Sequence, residues 1–506
     1  MIGIDRSQKT DICIIVEGSY PYITGGVSGW VHDLIQSQQD FTFSVVAIMP
    51  ENMDLKPRYT YPKNLLQVKN VILRTEPARE SAPRHEKKIL ADMVAEQIKV
   101  FSQQKATLSD LKKTIDFFER YGDKFDIREL LDTEEGWEAM VGVYNELLPG
   151  NSFIDYFWSF RSLLTGFYSV VGADLPYAGL YHATCTGFAG LLGARARLQT
   201  GSPLIVSEHG IYTNERRIEI ASVDWLESQS VISQNLTIDK VDKGLRDLWL
   251  GMFISYSRVC YEASSRIITL FKENQELQIE DGADPAKMQI IANGINLDRF
   301  GAIQRTDAFH PPTVALIGRV VPIKDVKTFI RACQELRKML PELRAWIIGP
   351  LDEDLDYSEE CQELVQVAGL AECVKFTGSV KVDDYLPEID VVALTSISEA
   401  QPLVILEAGA AGIPCVATNV GNCRELINGT EVENPLLGQG GEIVPISNPT
   451  AVAEALLDLL KDKDKHTRYS AAIKERVQRY YDRNLHNRSY QYLYDSLLGE
   501  KEKISV

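Results

Sequence analysis

Short apolar runs alternate with helical stretches in two separate parts of this 506-residue chain, and that alternation narrows the fold more than any other feature. Asp11-Ile12-Cys13-Ile14-Ile15-Val16-Glu17 reads as a buried strand. It enters a loop, Gly18 to Gly29, with glycines at 18, 25, 26 and 29. A helical stretch from Trp30 to Gln38 and a second strand, Phe41 to Ile48, come next. Strand, Gly-rich turn, helix, strand is the opening of a doubly wound parallel sheet.

From about 80 to 172 the rhythm breaks into charged and aromatic sequence with helical spacing. Leu108, Leu111, Ile115 and Phe118 form one amphipathic stripe, so a mainly helical insertion is expected. Strands resume at Ala178–His182 and Pro203–Ser207 around a small-residue helix, Gly187 to Leu198, and a helical block runs from Leu245 to Ser264. A second alternating series starts at Arg266. Its candidate strands are Ile267–Leu270, Gln289–Ile291, Thr313–Ile317, Arg344–Ile348, Val374–Phe376, Val391–Leu394 and Cys415–Ala417. Val326, Phe329, Ile330, Cys333 and Leu340 share one helix face, and Asn448-Pro449 gives an N-cap and first-turn proline to a helix over Ala451–Leu460. The expected fold class is α/β with two Rossmann-like domains and a cleft between them. The expected boundaries are 1–265 with the insertion, 266–475, and a helical segment at 476–506 that packs back on the first domain.

Lys plus Arg number 53 against 71 Asp plus Glu, a net charge of −18, with no basic run to offset it. Nucleic acid is therefore excluded as an expected partner. No apolar run reaches the length of about 18 residues needed to cross a bilayer. Met1 to Thr10 lacks the order of a signal peptide. Eight cysteines without a CxxC pair suggest reduced thiols, so a cytoplasmic protein without a zinc site is expected.

Ligands of open parallel sheets sit beyond the carboxyl ends of the strands, so chemistry is sought in those loops. The loop at 25–29 is not a nucleophile elbow, because position 30 is Trp, nor a dinucleotide fingerprint. Gly25-Gly26 ahead of a helix offers backbone amides to an anion or sugar, and a tight turn that needs glycine accounts for them equally well. Gly318-Arg319 and Lys324 follow the strand Thr313–Ile317. Two such cations can grip a diphosphate, although alone they read better as a pair of solvated surface charges. After Val391–Leu394 comes Ser396-Ile397-Ser398-Glu399-Ala400-Gln401-Pro402-Leu403-Val404-Ile405-Leu406-Glu407. Pro402 marks a helix start with free amides near Leu403 and Val404. Glu399 in the loop and Glu407 inside the helix are suited to hold pairs of adjacent hydroxyls; a capping Glu399 and a solvent-facing Glu407 are the alternative.

The spacing from Glu399 to Glu407 resembles the E-x7-E signature of retaining glycosyltransferases of family 4. The likeness extends to Asn293-Gly294-Ile295, Gly318-Arg319-Val320 with Lys324, Phe376-Thr377-Gly378, Ile23-Thr24-Gly25-Gly26-Val27 and Ser207-Glu208-His209-Gly210-Ile211-Tyr212. The longer pattern, insertion included, resembles glycosyltransferases of Pel exopolysaccharide systems. The resemblance implies a GT-B fold: two facing Rossmann-like domains, the second holding a nucleotide-sugar donor, such as UDP-glucose. It implies that Arg319 and Lys324 bind the diphosphate, Glu407 the ribose and Glu399 the hexose, helped by Gly318 and the amides of Leu403 and Val404. Gly25-Gly26 would serve the phosphate and acceptor side, and His209, otherwise a polar loop histidine, would contact the sugar near the reacting carbon. It further implies a metal-independent, cofactor-free enzyme that extends a polysaccharide acceptor and associates with inner-membrane synthase subunits. Asp352-Glu353-Asp354 is read as a solvated acidic loop, not a D-x-D metal motif. A nucleotide-sugar-binding scaffold subunit without transfer activity is the competing reading; a Rossmann oxidoreductase and a sugar epimerase are weaker ones.

Overall fold

The computed structural model describes residues 3–74, 82–124, 126–222, 243–306 and 308–504. The chain divides into two compact units, one running to Ile290 and resuming at Tyr490, the other covering Ile291–Ser489.

The first unit carries strands β1 (Ile4–Glu17), β2 (Phe43–Pro50), β3 (Leu65–Leu73), β4 (Leu175–Ala183), β5 (Leu204–Glu208), β6 (Arg266–Thr269) and β7 (Met288–Ile290). They form one parallel sheet in the order β3-β2-β1-β4-β5-β6-β7. The central strands are apolar on both faces, as parallel strands covered by helices must be: residues 12–16 of β1 are fully buried. Between β3 and β4 the expected insertion forms helices Arg84–Ser102, Leu108–Tyr121, Ile127–Leu131, Glu134–Leu147 and Phe153–Val171. Residues 80, 81 and 125 of the expected span lie outside the described residues. The insertion shares its core with the sheet: Phe101, Leu111, Ile115 and Phe167 join one apolar cluster with Val46, Ile48 and Tyr181.

The second unit carries β8 (Thr313–Ile317), β9 (Arg344–Ile348), β10 (Val374–Gly378), β11 (Val391–Leu394), β12 (Cys415–Thr418) and β13 (Gly441–Val444). They form a parallel sheet in the order β10-β9-β8-β11-β12-β13. Alternate residues of β8 and β11 feed different cores, Val314, Leu316, Val391 and Ala393 on one face and Ala315, Val392 and Leu394 on the other.

The expected division at 265 is corrected. β6 and β7, read as the first strands of the second series, complete the sheet of the first unit, because β6 pairs with β5 and β7 with β6. The expected tail at 476–506 also divides. The helix Arg483–Ile504 joins the first unit only from Tyr490, where Tyr490 and Tyr494 are buried, and residues 476–489 stay with the second. β3 and β13 were not anticipated. No helix among the described residues is long and apolar enough to cross a membrane.

Candidate functional site

Both sheets follow a strand order in which connections leave in opposite directions on either side of one gap, between β1 and β4 in the first and between β8 and β11 in the second. Backbone loops part at such a gap, and ligands of open parallel sheets bind there. The sequence-derived candidates of the second unit and Gly25-Gly26 follow strands at these gaps, while His209 follows β5, the neighbour of β4.

In the second unit, β8 runs into Gly318-Arg319 and a short turn, Pro322–Lys324, ahead of the helix Val326–Met339. β11 runs into the loop that carries Glu399 and then the helix Leu403–Ala410, with Pro402 as its cap. The two loops are stitched together. The Thr395 hydroxyl donates to the carbonyls of Lys324 and Asp325, both at 3.0 Å, and the Ile397 amide donates to the Ile323 carbonyl at 2.9 Å. This brings the Lys324 ammonium onto the Glu399 carboxylate, which also accepts from the Ser396 hydroxyl at 2.7 Å. The loop after β12 closes from the other side. Gly421 has φ +49°, and a Cβ there would lie 2.2 Å from the Glu399 carbonyl oxygen, so only glycine lets the two backbones meet. Glu399 is therefore no helix cap; its carboxylate is paired with Lys324 and Ser396.

Glu407 is half-buried in its helix, and its side chain makes no hydrogen bond or ion pair among the described residues. Burial pushes its carboxyl above the ordinary range, Arg299 opposes this, and Asp383 adds to it. Arg299 itself is forked onto Asp383 at 2.6 and 2.9 Å, so its charge is largely committed. Pro402 gives the helix no side-chain cap, so nothing from its own cap residue competes for the first-turn amides at Leu403 and Val404. Arg319 is exposed and pairs with Glu353 at 2.9 Å. The acidic run read as solvated thus has assigned work: Glu353 holds Arg319, and Asp354 caps the helix Leu355–Val367 through the Tyr357 amide at 3.0 Å.

In the first unit, β1 ends at Glu17, which accepts from the Phe188 amide at 2.8 Å and the Tyr212 hydroxyl at 2.9 Å. The helix Gly26–Ser37 starts after Gly25 without a side-chain cap from that residue. A tight turn does not explain the glycines, since Gly25 is extended at φ 168° and a Cβ on either Gly25 or Gly26 would meet nothing within 4 Å. The Tyr59 hydroxyl lies near Gly25 and Ser28: burial pushes its pKa up, and the Gly25 amide and Ser28 side chain oppose this.

His209 follows β5, half-buried, with its ring 4.4 Å from that of Trp30. Trp30 packs edge-on against His182 and Tyr490 as well. His182 is fully buried between the Ser207 hydroxyl at 2.7 Å and the Tyr494 hydroxyl at 2.8 Å, and Ser207 lies 3.0 Å from the Tyr490 hydroxyl. Burial, with His209 nearby, pushes the His182 imidazole down to about 3, so it is neutral at physiological pH. Next to His209, Glu208 is buried and collects Tyr261, Gln278, Thr186 and the Tyr212 amide at 2.5, 2.8, 3.1 and 3.3 Å. Sequence reasoning missed Trp30, His182 and Tyr490. Trp30 enters the sequence reading as a helix start and as the residue that breaks a nucleophile motif, and Tyr490 lies far along the chain.

Residues 10–286 match the family model described as Domain of unknown function (DUF3492), more than half of the chain. The chain belongs to the DUF3492 family. Residues 311–462 match a second model, Glycosyl transferases group 1, which places that domain on the second sheet. D-inositol 3-phosphate glycosyltransferase of Streptomyces scabiei is 31% identical over 235 residues, 43% of this chain and 51% of that protein. The Streptomyces coelicolor protein of the same name is 29% identical over 245 residues, again 43% of this chain and 52% of that protein. The chain thus spans about half the length of the curated relatives it matches. Among solved structures, HepE of Anabaena in complex with UDP superposes with TM-score 0.58 at 15% identity, over 96% of this chain and 100% of that one. Sucrose-phosphate synthase of Thermosynechococcus elongatus does so with TM-score 0.58 at 16% identity, over 96% and 99%. At these identities the likeness establishes the fold of this DUF3492 protein, which is GT-B.

Proposed function

We propose that this protein is a retaining, metal-independent glycosyltransferase that moves a hexosyl group from a nucleotide sugar, a UDP-sugar such as UDP-glucose, to a growing exopolysaccharide. The observation that carries the reading is the convergence of Lys324, Glu399 and the uncapped helix Leu403–Ala410 at the gap between β8 and β11, with Glu407 one turn further on. A departing nucleoside diphosphate gains negative charge as the sugar becomes oxocarbenium-like, and cations with helix amides meet that demand. Arg319 and Lys324 take the diphosphate beside Gly318, Glu399 the hexose with the amides of Leu403 and Val404, and Glu407 the ribose diol. In the first unit, Gly25-Gly26 serve the phosphate and acceptor side, and His209 contacts the sugar near the reacting carbon. Proteins similar to this one support the donor class: HepE of Anabaena was solved with UDP-glucose.

The acceptor reading rests on the likeness of EGSYPYITGGVSGWVHDLI, EHGIYTNERRIEI and the insertion to PelF, the glycosyltransferase of the Pel system. On that reading the enzyme works in the cytoplasm beside inner-membrane synthase subunits.

UDP release from UDP-glucose and other UDP-sugars tests the proposal. Glu407→Ala, and Arg319→Ala with Lys324→Ala, are each expected to lower kcat/KM by about a hundredfold or more, the scale of losing groups that act on developing charge. Unchanged turnover in either would remove those residues from the site. Activity lost to EDTA and restored by manganese would overturn metal independence.

A further inference from the structure

Beside the Glu399 loop, two buried amide side chains have hydrogen-bonding atoms that nothing meets. Gln401 is 7% exposed and Asn293 9%. The Asn293 backbone N–H donates to Gln401 Oε1 at 2.8 Å. That bond settles which way the Gln401 amide faces, because an N–H must meet oxygen, and it turns the NH2 group elsewhere. Gln401 Nε2 and Asn293 Oδ1 have no hydrogen-bond partner among the described residues. An unmet buried polar group costs roughly 1–3 kcal/mol, so an open donor and an open acceptor on two residues joined by one hydrogen bond point to a third molecule that completes them.

Both residues are held beside the Glu399 loop. Gln401 stands two positions after Glu399 and directly before Pro402, the cap of the helix Leu403–Ala410. Asn293 opens a segment that cannot shift: the Ile295 amide donates to the Tyr481 carbonyl at 2.7 Å, and the Arg483 amide to the Ile295 carbonyl at 3.0 Å. Between them, a Cβ on Gly294 would lie 2.5 Å from the Arg483 Cα. The amide pair is thus preorganised before any ligand arrives.

We propose that Gln401 and Asn293 form a hydroxyl-reading subsite for the hexose of the donor, Nε2 donating to a sugar hydroxyl and Oδ1 accepting from it. A hydroxyl carries one donor and two lone pairs, which matches one open donor beside one open acceptor. A phosphate oxygen would satisfy Nε2 but would set its charge against the Oδ1 dipole, so the pair selects sugar over diphosphate. The subsite rests on the donor reading given above and adds to it the residues that discriminate between hexoses. A site built to bond a hydroxyl rejects an analogue that lacks or misplaces it, because its own polar groups are then stranded.

Titration calorimetry with UDP, UDP-glucose, UDP-galactose and UDP-N-acetylglucosamine, on the full chain and on Gln401→Met, tests this. Methionine keeps the length of the side chain and removes the donor. The expected result is an unchanged Kd for UDP, a Kd about two- to tenfold weaker for whichever UDP-hexose the native protein prefers, and a narrower spread among the three. Equal weakening of UDP and UDP-hexose would overturn the subsite, and so would no weakening of either, the outcome if an ordered water fills the gap. A native protein that binds neither UDP nor any of the three would instead overturn the donor reading. Should Gln401→Met lose its cooperative melting transition, Asn293→Ala carries the same comparison, since it retains the backbone N–H that holds Gln401.

Discussion

Glu208, beside the gap in the first sheet, and Glu407, beside the gap in the second, are both carboxylates pushed up by burial, yet their surroundings differ completely. Glu208 collects four hydrogen bonds. The Glu407 side chain collects none among the described residues, and Arg299, the cation that acts on it, is already forked onto Asp383. The same contrast runs through the two neighbourhoods. In the first unit, His182 is bonded at both ring nitrogens and buttressed by aromatic rings. In the second, the Gln401 and Asn293 amides are left open, and Arg319 sits at the surface on a single acid. One strand order thus supports two kinds of polar site. Hydrogen bonds around Glu208 and His182 fix the loop that presents His209, with Gln278 Oε1 left open among them, while the Gln401 and Asn293 side chains hold capacity in reserve for a ligand.

The comparison breaks most sharply if Glu208 proves dispensable. Glu208→Ala strands the buried side-chain donors of Tyr261, Gln278 and Thr186, a loss of about 3 kcal/mol or more. A melting temperature lower by about 3–5 °C is expected, with UDP affinity unchanged. Thermal unfolding followed by calorimetry with and without UDP separates the two quantities. An unaltered melting temperature would mean that the four hydrogen bonds do not define the role of Glu208.

Much of this contrast was readable in the chain, and the remainder could not have been. Thr313–Ile317, Arg344–Ile348 and Val391–Leu394 stand where the sequence puts them, because strands covered on both faces are unbroken apolar runs. β3, Leu-Leu-Gln-Val-Lys-Asn-Val-Ile-Leu, lies at a sheet edge and mixes polar residues into the run, so it went unread. β6 and β7 were read as strands but given to the wrong sheet, since pairing with β5 across the helix Lys243–Ala263 is set by packing and not by local pattern. Among site residues, a shared site for Lys324 and Glu399 was implied by the family resemblance, and the pairing of β8 with β11 brings their loops together. The engagement of Arg319 by Glu353 did not, because 34 positions separate them along the chain. Nor could any spacing show that the Gln401 and Asn293 amides are unmet, which depends on everything packed around them.

Glu407→Gln sharpens the comparison in the opposite direction. A carboxyl whose folded pKa is raised keeps its proton to higher pH than it would unfolded, so ionising it in the fold costs stability as pH rises through the raised value. Glutamine does not ionise. The variant is therefore expected to melt with the native protein near pH 4 and above it at pH 8, by an amount on the order of 1 kcal/mol. UDP affinity is expected to fall in the same variant, because an amide offers a diol one acceptor oxygen where a carboxylate offers two. A melting temperature that drops at pH 8 would show that Glu407, like Glu208, supports the fold.

The smallest expected effect concerns the exposed pair. Glu353 and Arg319 form a surface salt bridge, and such pairs are worth about 0–1 kcal/mol. If Arg319 must turn from Glu353 to a diphosphate, that small energy is a cost of binding. Removing Glu353 should return it. Glu353→Gln is expected to tighten UDP binding about two- to threefold at low salt, and the gain should shrink as added salt screens the pair. Unlike the other two variants, it changes no buried group, so the melting temperature should hold. Tighter binding at low salt alone would identify Glu353 as a competitor for Arg319. Weaker binding would instead make it the group that orients the guanidinium, and Arg319 would then belong with the hydrogen-bonded networks of the first unit.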